Sequence, residues 1–278
     1  MKDRTCIVTG ATDGIGKITA RTLAEQGAHV ILVAQNAEKG AVVVDEILQL
    51  TGNRELQFLP ADLSSQADIR QLANTILHRC QHIDVLINNA GAIFMRRQES
   101  VDGIEMTWAL NHLGYFLLTQ LLLERIIESG RSRIVNVSSI VHRGMSLNVG
   151  DLEFKQGYAG FKAYRHSKLA NILFTRALAK RLANTEVTAN CLHPGAVGSH
   201  FGWNNGAFAR FFLKLGRPFL KTPEQGAQTS IHLAVSPAVE NISGEYFENK
   251  KSAQPSQAAQ DEGMSEKLWQ LSEQMTRQ

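Results

Sequence analysis

Tyr164 and Lys168 stand four residues apart inside a strongly helical stretch, Tyr164-Arg165-His166-Ser167-Lys168. That spacing puts both side chains on one face of an α-helix. A lysine ammonium beside a phenol favours the phenolate, so the pair predicts a Tyr164 pKa below the usual value of about 10. A tyrosine tuned in this way passes a proton to or from a substrate oxygen. The same spacing also suits an ordinary solvated helix. The chemical reading therefore needs an electron carrier and a group to hold the substrate oxygen.

A carrier site is readable at Thr9-Gly10-Ala11-Thr12-Asp13-Gly14-Ile15-Gly16, which follows an apolar run and opens a helical pattern. Glycines here permit a tight turn and close approach of backbone to a pyrophosphate, and the helix start offers free N–H groups. The expected contacts are Gly10, Thr12, Asp13, Gly14, Ile15 and Gly16. About 20 residues further on, an acid would select NAD and an arginine NADP. The chain instead carries Gln35-Asn36, with Lys17 and Lys39 as nearby cations and Asp13 as a nearby anion. With no carboxylate to repel a 2′-phosphate, the balance leans to NADP(H) over NAD(H). Asp62-Leu63 ends the third apolar run, where the carboxylate suits an adenine amino group or, with Ser64 and Ser65, a helix cap. Asn88-Asn89-Ala90-Gly91 ends the fourth. Small residues there let a cofactor lie against the sheet, and asparagine amides can bridge strands. Ser138-Ser139 ends the fifth, where a hydroxyl can hold a substrate oxygen or cap the next element. Pro194-Gly195 ends the sixth, with Val197 and Ser199 beyond it, placed to contact a nicotinamide.

The elements that must position these groups alternate. Short β-branched runs at Cys6-Ile7-Val8, 30–33, 57–59, 85–87, 134–137, 188–192 and 245–247 are separated by helix-length segments near 15–26, 37–50, 65–80, 103–128, 162–182 and 223–235. Continuous apolar strands with crossover helices predict an α/β, Rossmann-type doubly wound parallel sheet covered on both faces. Ligands bind beyond the carboxyl ends of such strands. No repeat or linker divides the chain, so residues 1–278 read as one nucleotide-binding domain. Two segments break the alternation: 140–162, and an aromatic-rich stretch at about 198–222 that reads as a substrate loop. A net charge of +3 across 278 residues is too small and scattered to argue for nucleic acid. Cys6, Cys80 and Cys191 are far apart, which argues for buried free thiols without a disulfide framework or metal spacing. The first strand begins at Thr5, and no stretch reaches the ~18 apolar residues of a membrane span. A soluble, cytoplasmic protein is the expectation.

Together these motifs resemble the short-chain dehydrogenase/reductase family over nearly the whole chain, from Thr5 to about Trp269. The ordered set is Thr-Gly-x-x-x-Gly-x-Gly at 9–16, Asp62, Asn-Asn-Ala-Gly at 88–91, Asn111, Ser139, Tyr-x-x-x-Lys at 164–168 and Pro-Gly at 194–195. Asn111-His112-Leu113-Gly114, Lys168-Leu169-Ala170-Asn171, Leu192-His193-Pro194-Gly195 and Thr222-Pro223-Glu224-Gln225-Gly226-Ala227 resemble its retinol-dehydrogenase-like branch. The resemblance implies a sheet of about seven strands and an NAD(P)-dependent carbonyl or alcohol substrate. It implies Tyr164 as general acid/base, with Lys168 lowering its pKa and holding the nicotinamide ribose. Ser139, rather than Ser138, would orient the carbonyl, and Asn111 would support a water relay to Lys168. Gln35 stands where this branch often has arginine, and the N-terminal membrane segment of many retinol dehydrogenases is not seen. The aromatic loop suggests an apolar, fairly bulky substrate, and its basic residues (Arg210, Lys214, Arg217, Lys221) leave peripheral membrane contact open. The long helices leave open a homodimer or higher homo-oligomer. The competing expectation is a catalytically silent nucleotide-binding regulator or scaffold.

Overall fold

A computed structural model describes residues 1–197 and 220–277. Eight strands form one sheet: β1 (Thr5–Thr9), β2 (His29–Ala34), β3 (Leu56–Pro60), β4 (Val85–Asn88), β5 (Arg133–Val137), β6 (Thr188–His193), β7 (Tyr246–Glu248) and β8 (Lys251–Ala253). Their order is β3-β2-β1-β4-β5-β6-β7-β8. The first seven pair in parallel and β8 runs antiparallel to β7. The seven expected parallel strands are thus present, extended by a short hairpin. Asn249 and Lys250 form its two-residue turn with φ of 50° and 65°, the left-handed pair that matches the twist of flanking strands.

Each strand of the middle sheet divides its side chains between two cores. Ile7 faces a core shared with α3 (Gln66–Arg79), α5 (Gly114–Glu128) and α6 (Gly160–Arg181). Cys6 and Val8 face the opposite core, under α1 (Gly14–Glu25), α2 (Ala37–Thr51) and α7 (Pro223–Val235). This is the period-two alternation of a sheet covered on both faces. Strand order reverses between β1 and β4, so their carboxyl ends open a crevice. The helices start where their caps allow. Asp13 accepts from Gly14 N, Ser65 from Asp68 N, and Thr222 forms a capping box with Gln225 ahead of Pro223.

Two departures from the sequence reading bear on the site. The helical segment expected at 103–128 begins later, at a single turn α4 (Met106–Trp108) capped by Glu105, then widens into a π-turn at Ala109–Leu113 before α5. A C-terminal helix α8 (Glu262–Thr276) was not expected. Its packed face joins Met264, Leu268, Leu271 and Met275, at helical spacing, to the small buried residues Ser265, Ser272 and Thr276. Trp269 anchors it, with ring centroids 5.0 Å from Phe116 and 5.9 Å from Phe174 and the Arg181 guanidinium 3.9 Å above its ring. Ser272 Oγ reaches His112 Nε2 at 2.9 Å. Helix α8 therefore packs along α6 and reaches α5 through Trp269.

Candidate active site

Helix α6 brings Tyr164 and Lys168 to the carboxyl end of β5, where Ser139 caps a 3-10 turn at Ile140–His142. The Ser139 and Tyr164 side chains are hydrogen-bonded. Ser138 is turned away: its hydroxyl donates to Lys168 O at 2.6 Å and is buried. Of the two serines, Ser139 holds the cavity-facing hydroxyl beside the tyrosine. Lys168 Nζ donates to Val137 O at 3.0 Å and lies 5.6 Å from the Tyr164 ring centroid and 5.7 Å from that of Tyr115. Asn111 sits in the π-turn, a local widening common at functional sites. Its Oδ1 accepts from Ala92 N at 2.9 Å, while Nδ2 donates to Ala92 O at 2.9 Å and to Ser167 Oγ at 3.1 Å. Asn171 Nδ2 donates to both Asn111 O (2.9 Å) and Val137 O (3.3 Å). The four residues expected at the reacting centre thus meet through one polar network.

Its electrostatics correct the expectation of a lowered tyrosine. Burial pushes the Tyr164 hydroxyl up to about 12, with the Ser139 hydrogen bond pulling weakly the other way. Burial also pushes Lys168 down to about 7. Desolvation penalises the charged form of each. Lys168 Nζ stands over the tyrosine ring and is hydrogen-bonded to Val137 O.

The glycine turn is shaped for a phosphate-bearing ligand. Gly10 has φ +65°, and a Cβ there would lie 2.8 Å from Ala90 Cα. A Cβ on Gly16 would lie 2.2 Å from Gly10 O. Backbone therefore packs on backbone at the start of α1, where Gly14 N donates to Asp13 Oδ1 at 2.7 Å. Thr9 Oγ1 accepts from Asn89 N (2.9 Å) and Ala90 N (3.0 Å), and Asn89 Nδ2 donates to Thr9 O at 2.8 Å. Asn88 Nδ2 bridges to Asn136 Oδ1 at 2.8 Å and Thr119 Oγ1 at 2.9 Å, as its position at a strand end predicts. A cavity of about 570 Å³ runs from Gly10, Asp13, Gly14, Ile15 and Gln35 past Asn89, Ala90 and Gly91 to Ser139, Tyr164, Lys168, Pro194, Gly195 and Val197. A second cavity of about 280 Å³ shares Gly10, Gln35, Ala90 and Gly91 and adds Asp62 and Leu63. These residues suit an extended dinucleotide, with its phosphates at the turn and one end at Tyr164.

At the other end, Gln35 Nε2 donates to Asp62 Oδ2 at 2.9 Å, and Asp62 Oδ1 accepts from Ser64 N and Oγ. Ser65 caps α3, so Asp62 is not that helix's cap. Asn36 caps α2 through Lys39 N. Lys39 Nζ lies 3.3 Å from Asp13, whereas Lys17 is drawn 2.6 Å from Glu46. Thr12 is a partly exposed member of the glycine turn. Ser199 and most of the aromatic stretch lie outside the described residues. The sequence reading missed Ala92, Phe94, Leu110 and Val137, which also line the larger cavity; as apolar residues beside motifs they carry no signal separate from core positions. Among the described residues there is no metal-binding cluster, and no helix is long and apolar enough to cross a membrane.

Comparison with known proteins agrees with this geometry. A solved protein of Mycobacterium paratuberculosis superposes with a TM-score of 0.80 at 31% identity, covering 99% of this chain and 94% of that one. The RhlG/NADP active-site complex of Pseudomonas aeruginosa gives 0.70 at 28% identity, over 95% and 97% of the two chains. Human retinol dehydrogenase 11 is 44% identical over 266 residues, 96% of this chain and 83% of that protein. Mouse retinol dehydrogenase 13 is 40% identical over 275 residues, 96% and 81%. The short chain dehydrogenase family model matches residues 4–208. The chain belongs to that family, in its retinol-dehydrogenase-like branch, and is an NAD(P)-dependent oxidoreductase of carbonyl and alcohol groups.

Proposed function

We propose that the protein interconverts a ketone or aldehyde with its alcohol on an apolar, fairly bulky substrate, prefers NADP(H), and uses Tyr164 as general acid/base. The observation that carries this reading is the meeting of Tyr164, Ser139 and Lys168 at one end of a glycine-cradled cavity. When bound there, the cofactor supplies or accepts the hydride at its nicotinamide ring. Ser139 Oγ and the Tyr164 hydroxyl together hold the substrate oxygen and stabilise charge that develops on it. Tyr164 donates its proton to that oxygen in reduction and recovers it in oxidation. With its pKa near 12, Tyr164 enters reduction already protonated at neutral pH. Lys168 supports the phenolate and, with Asn111, links the tyrosine to the proton path through the polar network.

The NADP(H) preference rests on Gln35, which places no charge of its own against a 2′-phosphate, and on Lys39 at the edge of the same turn. Phe94, Leu110, Ile15 and Val137 supply apolar wall. The relatives are named for retinol, an apolar alcohol, which supports the same substrate class. A panel of apolar aldehydes and ketones, read by NADPH and NADH consumption, tests both points. Tyr164→Phe is expected to lower turnover by roughly 10²–10⁴-fold. Near-normal turnover in that variant would remove Tyr164 from the reaction.

A further inference from the structure

His142 closes the 3-10 turn that Ser139 opens, and it is fully buried. Its Nδ1 lies 2.7 Å from Ser139 O, and its Nε2 lies 3.1 Å from Ser256 N in the C-terminal segment. A backbone amide can only donate, so Nε2 must accept and the ring proton must sit on Nδ1, aimed at the Ser139 carbonyl. The same carbonyl also accepts from His142 N at 3.2 Å. From α6, the neighbour of Tyr164 braces the turn: Arg165 donates to Val141 O at 2.9 Å and to Arg143 O at 2.7 Å. Arg143 in turn donates to Gln254 O at 2.9 Å. The turn carrying Ser139 is therefore held between the Tyr164 helix and residues 254–256.

We propose that His142 is a positioning residue for Ser139, its neutral imidazole joining the Ser139 carbonyl to the Ser256 amide and so fixing the serine hydroxyl against Tyr164. The inference rests on the reading of Ser139 given above. Double protonation would set an imidazolium N–H against the Ser256 N–H and break the bridge. The groups facing the ring are Arg143 on its own turn, Glu248 and Tyr246 on β7, His193 on β6, and Arg165 on α6, which is already bound to the turn's carbonyls. Burial and Arg143 favour the neutral ring, while the Ser139 bond and Glu248 favour the charged one. Burial is the largest of these and holds His142 below the ordinary histidine range, so the bridge is intact at neutral pH.

The test compares three variants by steady-state kinetics with NADPH and an apolar aldehyde from pH 5 to 9. His142→Phe keeps the edge-on ring contact with Tyr246, 5.1 Å between centroids, but removes both polar links. Its kcat is expected to fall about tenfold with the KM for NADPH unchanged. His142→Asn retains a donor for Ser139 O and cannot titrate. It is expected to keep kcat within about threefold of the parent at pH 7.5. Unchanged kcat in the phenylalanine variant, or a loss in the asparagine variant as large as in the phenylalanine variant, overturns the proposal. Ser139→Ala separates the two readings. If it retains near-normal kcat, the role of Ser139 itself fails. If it loses 10²-fold or more while His142→Phe loses nothing, only the role of His142 fails.

Discussion

Lys168→Met should stabilise the nucleotide-free protein, and by an amount that depends on pH. Lys168 is 3% exposed, and burial lowers its pKa from 10.5 to about 7. Between those values the unfolded chain binds more protons than the folded one, so stability rises with pH across that window. Below pH 7 the full penalty of burying the ammonium is present. At 1.36 kcal/mol per unit it is on the order of 5 kcal/mol. Methionine fills similar space without charge but loses the Val137 O hydrogen bond, about 1 kcal/mol. The net gain at pH 6 is then about 4 kcal/mol, or roughly 8 °C in Tm for a chain of this size. The gain should shrink steadily toward pH 9.5 as the folded parent sheds its proton. Thermal unfolding of both proteins at half-unit pH steps measures this directly, since other titrating groups cancel in the difference. Two Tm curves that run parallel from pH 6 to 9.5 would refute the reasoning. In the same experiment, saturating NADPH should raise the Tm of the parent more than that of the variant, because only the parent keeps the proposed ribose contact.

With Tyr164 as the proposed base, alcohol oxidation draws on a phenolate that a pKa near 12 makes scarce at neutral pH; the oxidation rate should therefore climb through pH 8–10 while carbonyl reduction changes little, as parallel assays in both directions would reveal. Gln35→Asp places a second carboxylate beside Asp62 and should shift the NADPH-to-NADH ratio of kcat/KM by about tenfold or more toward NADH, roughly 1.4 kcal/mol; an unchanged ratio would show that Gln35 does not face the 2′ position. Gly16→Ala would push a Cβ to 2.2 Å from Gly10 O, so nucleotide affinity measured by titration should drop by at least 10²-fold, whereas Gly52→Ala, with nothing within 4 Å of the added atom, should leave it unaltered and cost only about 1 kcal/mol for its φ of +68°. Trp269→Ala removes a ring that is 4% exposed and packed on Phe116, Phe174 and Arg181, and should lower the denaturant-derived unfolding free energy by about 3–5 kcal/mol.

What the sequence disclosed follows from which forces act locally. Strands at the sheet centre are buried on both faces, so Val30–Val33 stands out as an unbroken apolar run, and Ile134–Val137 as one broken only by Asn136. The glycine turn and the Tyr164/Lys168 spacing are equally local, since φ and helical pitch fix them. β8 is three residues long, too short for a periodic pattern to mark it as an element. The two serines after β5 look alike in sequence; only the packing of α6 directs Ser138 to Lys168 O and leaves Ser139 beside Tyr164. The spacing of Tyr164 and Lys168 shows their possible pairwise attraction, while desolvation depends on every neighbour the fold brings in.

That desolvation has a structural source in the way α6 is enclosed. The polar groups around Lys168 are nearly all engaged with protein. Asn136 Nδ2 donates to Thr175 Oγ1 at 3.0 Å, Thr175 to Asn171 O at 2.7 Å, and Asn171 to the carbonyls of Asn111 and Val137. This ladder ties β5, α6 and the π-turn together, and it tolerates burial because its members are neutral and hydrogen-bonded. Tyr164 and Lys168 are ionisable members of the same wall, and both also line the cavity. Burial therefore favours the neutral form of each near neutral pH, the phenol firmly and the amine partly. A charged or strongly polar ligand entering the cavity changes that balance more than it would at a solvated site, because less water screens it. The close packing that rigidifies the network thus leaves the proton equilibrium of these two residues as the property that a ligand in the cavity can shift.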